Sequence, residues 1–169
     1  MPDLPIVAEG ENVRGEHWYL KAGGSPADYY TMLETLHPDG RRDEGGMGGA
    51  SLYPGSRYNP YTGRADDGPL RVIVRTDLQV RRLRLSIRTT RDETLDLVSL
   101  AEDPEVGLAF FATLLPQPAE LLSIQGFGDD GEPLPEPAPA PAPTPHLPPM
   151  TASPAVAVSP RAVNTSNRP

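Results

Sequence analysis

A chain of 169 residues with no cysteine, a net charge of -8 and a pI near 4.8 excludes a disulfide-stapled mini-domain and a thiolate zinc site. The same charge argues against general binding to nucleic acid or to an anionic membrane. An apolar share of 37%, a mean hydropathy of -0.41, 22 prolines and 16 glycines predict that part of the chain contributes nothing to a core.

The first residues, from Met1 to Glu9, carry neither a basic nor an apolar segment of the kind a leader needs. No run approaches the roughly 18 apolar residues of a membrane span, so the expected protein is soluble and cytoplasmic. Lys21 is the sole lysine, so the positive charge is almost all arginine. Residues 1–15, polar and broken by Pro2, Pro5, Gly10 and Gly15, are expected to form a mobile arm. His17–Ala22 and Tyr29–Leu36 are aromatic runs separated by glycine, which predicts a pair of strands. Trp18, the one tryptophan, is read as a core anchor rather than a ligand platform. His37-Pro38-Asp39-Gly40 has the residues of a tight turn.

Gly45–Gly63 is dense in glycine and tyrosine, and Pro54 and Pro60 restrict it to an edge strand or an ordered loop. Tyr53, Arg57, Tyr58 and Tyr61 are its candidate binding residues, because tyrosines order cheaply and glycines permit unusual backbone shapes. The alternative is a lid, with these tyrosines folded back over one end of the domain.

Leu70–Arg75 is rich in β-branched residues, and in the next run Leu83, Leu85 and Ile87 alternate with Arg82, Arg84, Ser86 and Arg88. A period of two places the aliphatics on one sheet face and the arginines on the other. The two runs are expected to be antiparallel neighbours. On that pairing Arg71 and Arg75 share an outer face with Arg82, Arg84 and Arg88, a patch able to hold an anion. A solvated face balanced by Asp96 and Glu93 is the plainer account. Thr94–Leu100 alternates again. Val106–Leu115, bounded by Pro104 and Pro116, fits either a central strand or a short buried helix. Leu121–Phe127 alternates into an Asp129-Asp130-Gly131 turn. Beyond it an Ala-Pro alternation favours extended polyproline II.

About seven short strands spaced by turns predict an all-β fold, a small antiparallel β-sandwich, immunoglobulin-like or a partial barrel. It would span residues 16–134, with a disordered Pro/Ala-rich tail over 135–169. The Val80–Leu85 strand, the Leu95–Leu97 strand, Gly107–Phe111, Leu115-Pro116 and the Asp129–Leu134 hairpin together resemble the small all-β domains of uncharacterised actinobacterial proteins. The resemblance covers about residues 70–134; it implies the fold and no activity.

His17, His37 and His146 are far apart, and none has paired-ligand spacing, so no metal is expected. Asp66-Asp67-Gly68 and Asp129-Asp130-Gly131-Glu132 lack the alternation of a calcium loop. No nucleophile elbow, phosphate loop or other cofactor motif is present. The leading expectation is therefore a non-enzymatic protein-interaction or regulatory module whose partner is another protein. The alternatives are a small-ligand binder or enzyme with a site in loop 45–63, and a structural component of a protein assembly.

Overall fold

The computed structural model describes residues 3–12, 14–64 and 68–135, and every regular element in it is a strand. In chain order these are β1 (Ile6–Glu11), β2 (His17–Ser25), β3 (Asp28–Leu36), β4 (Arg42–Met47), β5 (Tyr58–Gly63) and β6 (Leu70–Asp77). Then come β7 (Arg82–Arg88), β8 (Asp92–Val98), β9 (Ala101–Asp103), β10 (Leu108–Leu115) and β11 (Glu120–Phe127). Among the described residues they pair, all antiparallel, into three sheets: β1-β2-β3-β4, β5-β6-β10-β9 and β11-β7-β8. No helix among them is long and apolar enough to cross a membrane.

The sheets are stacked, and the second lies in the middle. Its central strands, β6 and β10, carry apolar residues on both faces. Val72, Val74, Ala109 and Phe111 pack with Leu83, Leu85 and Ile87 of the third sheet. Ile73, Leu108 and Phe110 pack the other way, on Leu20, Ala22, Tyr29 and Leu33 of the first. Val106–Leu115 is thus resolved as a central strand covered on both sides. The first and second sheets are also aligned at their margins, with β1 against β9 and β4 against β5.

Several expectations hold in detail. β2 and β3 form a hairpin, and the turn after β3 closes with Gly40 N–H donating to the His37 carbonyl. Pro60 lies on β5, an edge strand, where a missing N–H is tolerated. The Asp129–Gly131 turn brings Leu134 N–H to the carbonyl of Gly126.

Others are corrected. Leu70–Arg75 and the Leu83–Ile87 strand are not neighbours: β6 belongs to the middle sheet and β7 to the third. A strand that is apolar on both faces needs cover on both, and a hairpin partner with its arginines turned outward supplies only one. The N-terminal residues do not form a mobile arm throughout, because Ile6–Glu11 pairs with β2 as an edge strand. Ala101–Asp103, which reads as a break, adds a short strand to β10. The Pro/Ala-rich tail from residue 136, His146 and the Asp66-Asp67 pair lie outside the described residues.

Candidate functional site

The tyrosines chosen from the sequence do not converge. Tyr58 and Tyr61 stand three positions apart on one strand, an odd spacing that sends them to opposite faces. Tyr58 is only 7% exposed, sits in the core shared with the third sheet, and accepts the Gly126 N–H at 2.9 Å. Gly126 has to be glycine, since a Cβ there would stand 2.7 Å from the Tyr58 hydroxyl. Tyr61 packs in the opposite core. Arg57 is tied down by Asp77 at 2.6 Å and by the carbonyl of Pro135 at 3.3 Å. Tyr53 alone projects outward, at 59% exposure.

The five-arginine patch is likewise divided. Arg82 and Arg84 both bond Asp96, Arg84 through two nitrogens at 2.7 and 2.9 Å, and Arg88 bonds Asp92. Arg84 holds the Asp96 carboxyl below its usual range. These three are spent on neighbouring acids, as a balanced solvated face would have it. Arg71 and Arg75 are instead buried between the first and middle sheets, because β6 is covered on the side they occupy.

Arg75 is wholly buried and, among the described residues, has no carboxylate on its guanidinium. Its nitrogens donate to the Thr31 hydroxyl at 2.7 Å and to the carbonyls of Tyr29, Met47 and Ala50 at 2.8, 2.8 and 3.1 Å. The guanidinium carbon lies 5.3 Å from the centre of the Tyr29 ring, which stacks on Phe110. Burial pushes the Arg75 pKa down, but an arginine starts so high that it keeps its charge. Asn59 adds a bond to the Ala50 carbonyl, so the segment that follows β4 is fixed from beneath. Tyr29 donates to Asp103 at 2.7 Å, and burial, then that carboxylate, raises its pKa.

At the other end of the same interlayer lies a cleft of about 330 Å³. Trp18, Leu33, Leu100, Ala112 and Leu114 supply apolar wall, and the polar part comes largely from one turn, Asn12–Glu16, between β1 and β2. That turn is built by its own side chains. Asn12 Oδ1 accepts the N–H groups of Arg14 and Glu16, and Asn12 Nδ2 donates to Glu16 Oε2 at 2.7 Å. Gly15 closes it with φ +71°, a left-handed angle that glycine adopts without strain.

Behind the turn runs a chain of charged groups. Glu16 Oε1 is 2.9 Å from His37 Nδ1, His37 Nε2 is 2.7 Å from Asp43 Oδ2, and Arg71 reaches that oxygen at 3.8 Å. Both ring nitrogens are engaged by carboxylates, so the imidazole offers no nitrogen to a substrate. Among the described residues the buried Arg71 Nε and Thr35 Oγ1 lack hydrogen-bond partners. They belong to positions directly across from Leu114 and Trp18 of the cleft wall.

The Asn12 amide, followed by the His37 ring, holds Glu16 below the usual carboxylate range, against the opposing effect of burial. A depressed carboxylate contributes stability above its unfolded pKa, near 4.5, and loses it as pH falls through the folded value. The urea midpoint should therefore drop as pH is lowered below about 4.5, and Glu16→Gln should show a shallower drop. Parallel pH profiles for the two proteins would contradict this role.

Sequence reasoning did not find the cleft, because its lining comes from five separated segments. The signals it left were local: Asn12-x-x-Gly15 as a side-chain-closed turn, and His37, read as a turn residue and set aside as a metal ligand. Among the described residues no group of three or more metal-ligating side chains is arranged to hold an ion. Compared with protein-family models, with curated proteins and with solved structures, the chain matches none.

Proposed function

We propose that the protein is a non-enzymatic binding module that takes a small, mainly apolar ligand in the cleft between its first and middle sheets. The observation that carries this reading is the cleft itself. Its volume of about 330 Å³ falls at the lower end of small-molecule sites, its walls are apolar, and its polar groups are few and preset by one turn. The engagement of both His37 nitrogens speaks for binding rather than acid–base chemistry. The cytoplasmic location expected from the sequence stays part of this proposal.

Trp18 makes the test direct, because the sole tryptophan lines the cleft. Titration with anilinonaphthalene sulfonate should quench Trp18 fluorescence saturably, with one probe per chain. Ala112→Phe, which fills the cleft from β10, should abolish that quenching while the circular dichroism spectrum is kept. Unsaturable quenching, or full binding by a folded Ala112→Phe protein, would reject the site.

A second reading, the protein-interaction module expected from the sequence, draws support from Tyr53. That ring is exposed on a segment held from beneath by Arg75 and Asn59, and a rigid, amphipathic aromatic suits a contact surface. Loss of partner capture by Tyr53→Ser, with cleft binding unchanged, would favour it.

A further inference from the structure

We infer that the ligand of the cleft is a small amphipathic anion whose charged group is held by Arg14. The inference rests on the cleft being a binding site, and it follows from counting the hydrogen-bonding capacity that the lining leaves unused. Asn12 spends its oxygen on two backbone N–H groups and its amide on Glu16. Glu16 has one oxygen on Asn12 and the other on His37. Thr113 lies opposite Val72 on β6, so strand alternation turns its side chain towards the third sheet and away from the cleft. Arg14 differs. Its side chain is exposed, lines the cleft, and makes no hydrogen bond or close ion pair among the described residues, its attraction to Glu16 being the weakest of the influences on that carboxylate.

The unused side-chain capacity is thus a guanidinium, five N–H donors with a positive charge and no acceptor. Its natural complement is a carboxylate, sulfonate or phosphate, which it can grip with two parallel bonds. Glu16 lies on the same turn and would oppose an anion. Its oxygens are directed at Asn12 and His37, however, and Arg71 stands one position behind the wall with a buried Nε that has no partner among the described residues. The apolar walls set the remainder of the ligand. A volume near 330 Å³ is that of roughly eleven waters at about 30 Å³ each, enough for a body of two or three aromatic rings and too small for a folded peptide.

Two probes of similar shape separate the anion from the body. Anilinonaphthalene sulfonate carries the charge, and N-phenyl-1-naphthylamine is its uncharged counterpart. With the full-length protein and Trp18 quenching as the readout, the sulfonate should bind about tenfold more tightly at low salt. Arg14→Gln should weaken the sulfonate about five- to tenfold and leave the neutral probe unchanged. Arg14→Glu should weaken the sulfonate further, and added salt should narrow the gap between the probes. If both probes bind alike and Arg14→Gln moves neither, the anion is wrong and the cleft reading stands. Equal weakening of both probes would give Arg14 a merely structural role and overturn the assignment. Failure of both probes to quench Trp18 would defeat the cleft reading itself, and this inference with it.

Discussion

Arg75→Ala is expected to lower unfolding free energy by about 3–5 kcal/mol, one of the two largest single-site losses in the molecule. The substitution leaves the Tyr29 and Met47 carbonyls without the Arg75 donor, and the Ala50 carbonyl with Asn59 alone. Each buried, unsatisfied group costs about 1–3 kcal/mol, partly relieved by water entering the vacated space. Arg75→Met separates charge from bonding, since it keeps volume and abolishes the donors. Urea titration at neutral pH is the measurement, and both variants should fall together. A methionine variant close to wild type would show that the guanidinium's own desolvation had cancelled its bonds.

Phe110→Ala is the second, again at about 3–5 kcal/mol through lost burial and the cavity left behind. Phe110 and Phe111 are adjacent on β10 and fully buried, yet they belong to different cores. Phe111→Ala should therefore cost a similar amount while perturbing different neighbours. Near-ultraviolet dichroism distinguishes them, because Tyr29 and Trp18 pack on the Phe110 side. Stability lost from one variant and kept by the other would mean that one face of the middle sheet is not a true core.

The third sheet could be read from the chain. Leu83, Leu85 and Ile87 are buried and alternate with arginines on the outer face, because one covered face leaves a period of two. β6 could not be read in the same way. Arg71 and Arg75 alternate with Val72 and Val74 as arginines do on a wet face, but here Thr31, remote carbonyls and Asp43 take the place of solvent. Those partners come from strands 28 or more residues upstream, and a local pattern holds no trace of them. β1 was missed because its apolar contribution is small, Val7 and Ala8 with a glycine under Trp18, and leaves no sustained alternation in the chain. The tyrosines were legible as ordered residues. Their orientation was not, since it depends on which residues of 58–63 enter the ladder with β6. The cleft was the least visible, being a gap between elements and not a property of any one of them.

The doubly covered middle sheet also determines how the chain can be divided. A fragment beginning at Leu70 would hold β6–β11, two layers with all of the core between them but Tyr58 of β5, and it matches the stretch whose pattern looks self-sufficient. Such a fragment would display Ile73, Leu108 and Phe110 to water, together with the uncovered Arg71 and Arg75 on the same face. The first four strands act towards it as a complement, a half-molecule that any second chain with a similar face could replace. Splitting the gene near residue 66 would yield two pieces that are sticky apart and able to reassemble. Exchange of the first sheet between copies is the form of self-association to which this architecture is most open.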